Sequence, residues 1–407
     1  MPRLLSINNY HYRRGGAEIV CLEAANLLEA YGWETVPFSM RHPRNQPTPW
    51  SDHFVEEIEY GEDYSLFEKL ARVPKVIYSL EARTRIRQLI HDAQPDLAHA
   101  HNIYHHISPS ILGVLKAEGL PTILTLHDLK LACPAYKMLA HDGLCERCKN
   151  GRIWNVLRHR CVKDSFTLSA VIALETFVHR LLRLYERHVD RFVVPSRFYL
   201  EKLAQWGWNP ERFAYIPNFV DVSKFRADHS PGKHFVYAGR LGPEKGLRTL
   251  IRAAALSSVP LRIIGSGPEE PVLRALSEQL GVDTKFLGYR TGEDLHSGIR
   301  SSRALVLPSE WYENAPISLL EAYALGRPVI GARIGGIPEL IREGQTGAVF
   351  ESGDPESLAS ALSRFAELEP PTICAMGREG RRWVEQDFSV LRHREKLLAL
   401  YRELGIG

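Results

Sequence analysis

Residues 234–246 read His-Phe-Val-Tyr-Ala-Gly-Arg-Leu-Gly-Pro-Glu-Lys-Gly, a short apolar run followed at once by a glycine-rich turn. A helical pattern of apolar residues, Leu247–Leu256, comes directly after the turn. Strand, tight turn and helix in that order form the repeating unit of a parallel β-sheet covered by helices. Because the apolar run does not alternate with polar residues, we expect this strand to be buried on both faces.

The same unit recurs along almost the whole chain. Ten runs are predicted to be strands: Leu4–Ile7, Thr35–Ser39, Leu97–His101, Thr122–Leu126, Phe192–Pro195, His234–Ala238, Leu261–Ile264, Thr284–Leu287, Ala304–Leu307 and Val329–Gly331. Helices are predicted at Glu18–Tyr31, Leu247–Leu256, Glu269–Leu280, Pro355–Leu368 and, after the last strand, near Ser389–Leu404. Two sets of five strands, separated by the Pro- and Gly-containing segment Ile216–Lys233, predict an α/β protein with two doubly wound domains.

The composition is that of a globular protein with a full hydrophobic core. Of the 407 residues, 44% are hydrophobic and 24% are charged, which excludes disorder as the dominant state. A formal charge of +3 is too small to argue for a nucleic-acid partner. No apolar run reaches the roughly 18 residues of a membrane span, and the first residues lack a secretory signal pattern, so we expect a cytoplasmic protein.

Two glycine-rich turns follow strands of the second set. In Gly239–Gly246 the glycines let the backbone approach a ligand, while Arg240 and Lys245 supply two cations of the kind that bind a phosphate. The turn with Gly265 and Gly267 is expected at the same edge of the sheet, since parallel strands end on one side. A surface turn with solvated charges is the alternative. Neither half of the chain has the G-x-G-x-x-G pattern after its first strand, which disfavours a nicotinamide or flavin site.

The strongest motif is Glu-Asn-Ala-Pro-Ile-Ser-Leu-Leu-Glu at residues 313–321. We expect Pro316 to be the first residue of a helix, which leaves Glu313 in the preceding loop. The amides of Ile317 and Ser318 would then face the ligand crevice at the positive end of the helix dipole. Two acids beside a phosphate site suit the neutral hydroxyls of a nucleotide-sugar. The alternative is an N-terminal acid and an unrelated helix-surface glutamate.

Taken together, these segments resemble the retaining GT-B glycosyltransferases of family 4. The resemblance is carried by Glu313-x7-Glu321, Gly239–Gly246, Gly265–Pro268, Ile216–Asn218 and Gly331–Glu339 in the second half, and by Gly15–Glu18 and His127-Asp128 in the first. It covers nearly the whole chain and implies two Rossmann-like domains facing a cleft. The N-terminal acceptor domain would comprise residues 1–217, completed by a terminal helix within 388–407. The C-terminal donor domain would comprise residues 218–387.

The resemblance also implies roles for individual residues. Arg240 and Lys245 match the clamp for the donor diphosphate, Glu313 a ligand of the donor-sugar hydroxyls, and Glu321 a ligand of the ribose. His127 matches a histidine of the donor-sugar pocket, although a lone histidine after a strand is more often structural. We therefore expect His127, Arg240, Lys245 and Glu313 to be catalytic. The other donor-binding residues implied are Gly15, Gly16, Gly239, Gly265, Gly267, Asn314, Ala315, Pro316, Ile317, Ser318 and Glu321.

The activity implied is transfer of a sugar, with retention, from a UDP- or GDP-linked donor to a hydroxyl of a glycan or lipid-linked acceptor. The product would belong to a cell-surface polysaccharide or glycoconjugate. No D-x-D occurs in the sequence, which fits a reaction without a catalytic metal, in which cations and a helix terminus stabilise the diphosphate. A GT-B nucleotide-sugar epimerase is one alternative. A non-catalytic nucleotide-sugar-binding scaffold is another, although a scaffold has no need of Arg240, Lys245, Glu313 and Glu321 together.

Four cysteines, which the family pattern does not account for, follow His127-Asp128. Cys145 and Cys148 form a C-x2-C pair, and Cys133 and Cys161 flank it. Four thiolates at such spacing predict a structural zinc site. Reduced buried thiols, a disulfide between Cys145 and Cys148, and an iron–sulfur cluster are the alternatives.

The segment 147–191 is strongly basic, with ten Lys and Arg residues against four acidic ones, interleaved with apolar residues. One interpretation is a surface that contacts anionic lipid, which would place the protein at the inner face of the membrane. The other is a buried amphipathic helix with a solvated polar face.

Overall fold

The structure is a computed structural model that describes residues 1–57 and 73–406. The strands are β1 (Arg3–Ile7), β2 (Glu34–Phe38), β3 (Leu97–Ala100), β4 (Thr122–Thr125), β5 (Leu139–Ala140), β6 (Gly143–Leu144), β7 (Arg191–Val194), β8 (Phe213–Tyr215), β9 (Phe235–Ala238), β10 (Leu261–Ile264), β11 (Thr284–Gly288), β12 (Ala304–Leu307), β13 (Val329–Ala332) and β14 (Gly347–Phe350). The α-helices are α1 (Gly16–Glu29), α2 (Leu80–Ala93), α3 (Leu112–Ala117), α4 (Asn155–Arg158), α5 (Phe166–Leu181), α6 (Leu184–His188), α7 (Arg197–Gln205), α8 (Leu247–Ser257), α9 (Glu270–Gln279), α10 (Gly292–Arg300), α11 (Ile317–Ala324), α12 (Pro355–Glu367), α13 (Pro370–Asp387) and α14 (Val390–Glu403).

Two parallel six-stranded sheets organise the chain. The first has the strand order β2-β1-β3-β4-β7-β8, and the second has the order β11-β10-β9-β12-β13-β14. In each sheet the strand order reverses beside the first strand, between β1 and β3 and between β9 and β12. Loops diverge at such a switch point and leave a crevice at the carboxyl ends of the strands. Strands β5 and β6 form a separate antiparallel hairpin.

All ten predicted strands are present, with ends that differ by about one residue from the predicted ones. The buried runs explain this agreement: all four residues of β9 are buried between its helical layers, as its unbroken apolar sequence predicts. The sequence analysis missed β8, β14 and the hairpin β5–β6. Each has four residues or fewer, and β8 and β14 lie at sheet edges, so their hydrophobic patterns are too short to stand out.

The last helix, α14, packs against the first sheet, as the resemblance implies. Leu397, Leu400 and Tyr401 belong to one buried cluster with Leu4 of β1 and Leu97 of β3. The chain passes from one sheet to the other twice, near Val220 and near Phe388. These two segments are adjacent, since the Val220 amide donates a hydrogen bond to the Phe388 carbonyl at 2.9 Å. Residues close to the C-terminus therefore form part of the hydrophobic core of the first sheet.

Candidate functional site

The crevice of the second sheet opens between the loops that follow β9 and β12. These loops contain Gly239–Gly246 and residues 308–316, the two segments that carry the predicted phosphate and hydroxyl ligands. Across the crevice lie the N-terminus of α1 and the loop after β4, both from the first sheet. The candidate site is therefore assembled from both halves of the chain.

An ion pair between Lys245 and Glu313 lies in this crevice. Glu313 Oε1 accepts hydrogen bonds from Lys245 Nζ at 2.7 Å and from Ser309 Oγ at 2.7 Å. The side chains of Lys245 and Glu313 are only 21% and 12% exposed. Burial acts to raise the pKa of Glu313, but the Lys245 charge and these hydrogen bonds hold that pKa below its ordinary value. Glu313 is thus an anion fixed beside a cation.

Arg240 is more exposed and forms an ion pair with Glu244. A third cation, Lys137, faces the same region from the cysteine-containing segment. Burial lowers the pKa of Lys137, and the charges of Arg240 and Lys245 lower it further. The sequence analysis missed Lys137, because nothing in its local sequence indicates that the chain returns to the second sheet there.

The first residues of two helices, α1 and α11, lie close to each other. A Cβ added to Gly16, the first residue of α1, would lie 3.7 Å from Cδ1 of Ile317, the first residue of α11. Gly15 precedes α1 and has no side chain to cap it, and within the described residues no side chain caps α11. Both helices therefore offer first-turn amides to an anion.

The structure corrects one detail of the helix α11. Pro316 precedes the helix and is not its first residue, because its ψ of 120° is extended. The helix begins one residue later, at Ile317. The expected placement of Glu313 in the preceding loop is unaffected by this shift.

Gly239, Gly265 and Gly267 bring two turns into backbone contact. A Cβ on Gly265 would lie 1.8 Å from the Gly239 carbonyl oxygen, and one on Gly267 would lie 2.3 Å from the Leu241 carbonyl oxygen. The turns are also joined by a hydrogen bond from the Leu241 amide to the Ser266 carbonyl at 3.0 Å. The two glycine-rich turns thus meet at one edge of the sheet, and side chains at these glycines would separate them.

Asn314 connects the second sheet to the first half of the chain, and Ala315 is bonded to the segment between the two sheets. Asn314 Oδ1 accepts a hydrogen bond from Ser196 Oγ at 2.8 Å, and Asn314 Nδ2 donates to the Leu126 carbonyl at 3.0 Å. Asn218 Nδ2 donates to the Ala315 carbonyl at 2.8 Å. Since Leu126 precedes His127, these bonds tie the loop of Glu313 to the loop of His127.

His127 is the end of a stack of three histidine rings. Its ring lies 5.2 Å from that of His101, which lies 4.7 Å from that of His99. His127 Nε2 is 2.9 Å from His101 Nδ1, and His99 Nδ1 is 2.8 Å from Tyr401 Oη on α14. Burial lowers the pKa of His127 to about 4, so its ring is neutral near pH 7. The signal for this stack is the spacing of His99 on β3 and His101 directly after it, because side chains two residues apart in an extended chain point to the same face.

Glu321 lies in the second turn of α11 and is half-buried. Burial raises the pKa of Glu321, and the charge of Arg13, from the loop before α1, opposes the increase. The carboxyl group is therefore within electrostatic reach of the first half of the chain, on the same helix whose N-terminus faces Gly16.

Two family models match the chain with little overlap. The model named Glycosyltransferase Family 4 matches residues 14–224, and the model named Glycosyl transferases group 1 matches residues 222–383. The first covers half of the chain. The chain belongs to glycosyltransferase family 4.

Individual relatives agree with this family assignment. The family 4 chain is 29% identical over 219 residues to WcaL of Salmonella typhimurium, a glycosyltransferase assigned to colanic acid biosynthesis. The matched region covers 50% of this chain and 54% of WcaL. The chain thus spans about half the length of the curated relatives it matches first. Sucrose-phosphate synthase from Thermosynechococcus elongatus superposes with a TM-score of 0.73 and 20% identity, over 99% of both chains. HepE from Anabaena, solved with UDP and glucose, superposes with a TM-score of 0.70 and 17% identity, over 99% of this chain and 100% of HepE. At these identities the structural likeness establishes the GT-B fold.

In the described part of the family 4 chain, no helix is long and apolar enough to cross a membrane. Within the same residues, no group of three or more His, Cys, Asp or Glu side chains is already positioned to hold a metal ion. The four clustered cysteines are nevertheless neighbours: burial raises the pKa of Cys148 to about 12, and Cys133, Cys161 and Cys145 add to that increase. All of them are free thiols.

Proposed function

We propose that this chain is a retaining glycosyltransferase that transfers a sugar from a nucleoside diphosphate donor to an acceptor hydroxyl. The observation that carries the proposal is the Lys245–Glu313 pair in a crevice between two helix N-termini. Uncapped helix N-termini suit a diphosphate, and a buried carboxylate beside them suits sugar hydroxyls. The UDP and glucose bound to HepE, which shares the fold, support a donor of this kind.

In the proposed mechanism, protein cations stabilise the departing diphosphate. Lys137 lies within electrostatic reach of Arg240 and Lys245, and Lys245 is held in place by its ion pair with Glu313. Fixed positive groups that face a developing negative charge lower the barrier most, because they need no reorganisation during the reaction. The reaction would therefore proceed without a catalytic metal ion.

Glu313 and His127 would orient the donor sugar. The Glu313 carboxylate accepts hydrogen bonds from sugar hydroxyls while Lys245 holds it in place. His127 is neutral, and its Nε2 is engaged with His101, which leaves Nδ1 for the sugar. Retention of configuration would follow if the acceptor attacked from the face that the diphosphate leaves.

The acceptor would be a glycan or lipid-linked sugar bound by the first half of the chain. We place the division between the acceptor and donor domains at residues 217 and 218, with residues 388–407 returning to the acceptor domain. The separate sheets on either side of this point support that division, as does the packing of α14 on the first sheet. The colanic acid assignment of WcaL supports a role in cell-surface polysaccharide or glycoconjugate synthesis.

A panel of UDP- and GDP-sugars tests the proposed activity. We expect one donor to raise the melting temperature by mass action and to be hydrolysed slowly to the nucleoside diphosphate when no acceptor is present. Conversion of the donor to its epimer would contradict the proposal and indicate an epimerase. Binding without any conversion, with or without acceptor glycans, would replace it with a scaffold.

The substitution Glu321→Gln should weaken donor binding by about tenfold and leave kcat within about threefold of the wild type. A ribose contact is nearly the same in the ground state and the transition state, so its loss raises KM. Donor affinity is measured by calorimetry and kcat at saturating donor. A large loss of kcat with unchanged affinity would contradict the ribose role.

We further propose that the outer face of α5 contacts an anionic membrane surface. Phe166, Leu174, Phe177 and Leu181 lie on one face of the helix, and each is 48% to 67% exposed. Five exposed cations precede or follow α5 in sequence and have no acidic partner among the described residues: Arg158, Arg160, Lys163, Arg183 and Arg187. Apolar side chains beside unpaired cations suit the headgroup region of an anionic bilayer.

Sedimentation with phosphatidylglycerol vesicles tests this surface. We expect Phe177→Ser/Leu181→Ser to lower vesicle binding by about tenfold. The control is Leu256→Ser, an equally exposed leucine on the second half of the chain. Absence of vesicle binding by the wild type would contradict membrane contact. So would a wild-type dimer that the double substitution disrupts, because the apolar face would then be a contact between two copies of the chain.

A further inference from the structure

Four cysteines from a segment of 29 residues line one small cavity. Cys133, Cys145, Cys148 and Cys161 all line it, together with His159 and Trp206. The cavity offers room of about 10 Å³, which suits a single ion and excludes a sugar or nucleotide. It lies outside the donor crevice, and the mechanism proposed above uses none of its residues.

The local fold brings these cysteines together. The hairpin β5–β6 reverses the direction of the chain between Cys133 and Cys145. At the end of this hairpin the Cys145 amide donates a hydrogen bond to the Met138 carbonyl at 2.8 Å. After the short helix α4, the Cys161 amide donates to the Val156 carbonyl at 3.1 Å, which closes the segment around the cavity. A hairpin followed by a C-x2-C turn is a compact way to present two thiols to one centre.

Two hydrogen-bond donors lie beside the cysteines. Arg147 Nη1 donates to Cys145 Sγ at 3.8 Å. The buried indole N–H of Trp206 lines the cavity and has no acceptor among the described residues. Such donors stabilise thiolate charge, and a metal-bound thiolate would give Trp206 the acceptor that it lacks.

The cysteine-containing segment has little core to hold its shape. Within the described residues, the hydrophobic cluster beside it has three buried members, Ala135, Val156 and Ala173, of which Ala173 belongs to α5. A cluster this small does not fix 29 residues with two short strands and one short helix, the length from Cys133 to Cys161. A bound ion would supply the missing stabilisation.

We propose that Cys133, Cys145, Cys148 and Cys161 bind one Zn²⁺ ion in a tetrahedral structural site. Each thiol releases one proton to solvent as the ion binds, and no oxidant or reductant is needed. The sulfur atoms do not yet converge at ligand distances. Each can move inward by rotation about its single χ1 torsion, since all four already line the cavity. Four protein ligands leave no open coordination position, so the ion would have no part in catalysis.

The zinc site would position one wall of the donor crevice. Glu146 lies between Cys145 and Cys148, and its Oε1 accepts hydrogen bonds from Lys202 Nζ at 2.7 Å and Tyr312 Oη at 3.3 Å. Tyr312 directly precedes Glu313. Lys137 lies between Cys133 and the hairpin, and faces Arg240 and Lys245. This consequence rests on the proposed function, whereas zinc binding itself does not.

Metal analysis of protein purified without chelator tests the site. We expect about one Zn per chain in the wild type and close to none in Cys145→Ser/Cys148→Ser. The matched control is Cys374→Ser, because Cys374 is a free thiol on the second half of the chain and donates to the His229 carbonyl. This control should keep its zinc.

A second variant keeps the test decisive if the double variant does not fold. Cys161→His should retain about one Zn, because three thiolates and an imidazole also form a closed zinc site. Substitution with Co²⁺ should give the visible absorption of a tetrahedral thiolate site, altered in this variant. A zinc-free wild type with four reactive thiols in this segment would overturn the proposal, as would a disulfide here or a brown, iron-containing protein. Zinc without any glycosyltransfer would overturn only the proposed function.

Discussion

The substitution Lys245→Ala should lower kcat/KM by about a thousandfold, or about 4 kcal/mol of transition-state stabilisation. Lys245 is less exposed than Arg240, at 21% against 53% of the side chain, and it is the cation that pairs with Glu313. Its removal takes away charge that would face the departing diphosphate. It also leaves Glu313 without its cationic partner in a position that is only 12% exposed. Initial rates with the donor identified by the panel measure the effect.

The same substitution should also affect folding. An unpaired carboxylate in a largely buried position costs about 1–3 kcal/mol, so the free energy of unfolding should fall by that amount. Denaturant titration separates this loss from the loss of activity. The control is Arg274→Ala, which removes an exposed cation paired with Glu270 on α9 and should leave kcat/KM unchanged. A Lys245→Ala enzyme within about threefold of wild-type kcat/KM would contradict the diphosphate role.

The substitution Glu313→Gln should lower kcat/KM at least about a hundredfold, with most of the loss in kcat. Glutamine has nearly the same shape as glutamate, and its carbonyl oxygen can still accept from Lys245 and Ser309. What is lost is the negative charge, which strengthens hydrogen bonds from the sugar hydroxyls as positive charge develops on the sugar. Steady-state kinetics at saturating donor measure kcat, and Glu270→Gln, at a glutamate paired with Arg274 on α9, is the acidic control.

The double variant Lys245→Ala/Glu313→Gln distinguishes two explanations of these losses. If Lys245 faces the diphosphate and Glu313 faces the sugar, the double variant should be markedly slower than either single variant. If Glu313 only positions Lys245, the double variant should be no slower than Lys245→Ala. Equal activities of the double variant and Lys245→Ala would therefore contradict a direct role of Glu313 on the sugar.

The central strands and the glycine-rich turns could be predicted from the sequence, because their signals are local. The strand β9 is an unbroken apolar run, and the turn after it contains the glycines that its backbone contacts require. The position of Glu313 in a loop could also be predicted, because Pro316, three residues later, indicates where the helix begins. These features depend on neighbours in sequence, so periodicity and turn chemistry are sufficient to find them.

The features that the sequence analysis missed depend on contacts between distant residues. Lys137 reaches the donor crevice only because the cysteine-containing segment folds back toward the second sheet. His101 contacts His127 only because β3 and β4 are adjacent strands. Asn314 contacts Leu126 across the two halves of the chain. The local sequence around these residues does not indicate their partners, because those contacts are determined by the tertiary structure.

The packing of α14 on the first sheet has a consequence during translation. The ribosome releases β1 and β3 long before it makes Leu397, Leu400 and Tyr401, which complete the apolar cluster around Leu4. Domains usually fold as units in the order of their synthesis, but here the half made first cannot bury this surface until the last helix emerges. A nascent chain would therefore expose this patch while the entire second sheet is being made, and chains that end before α14 should be substrates for chaperones and proteases.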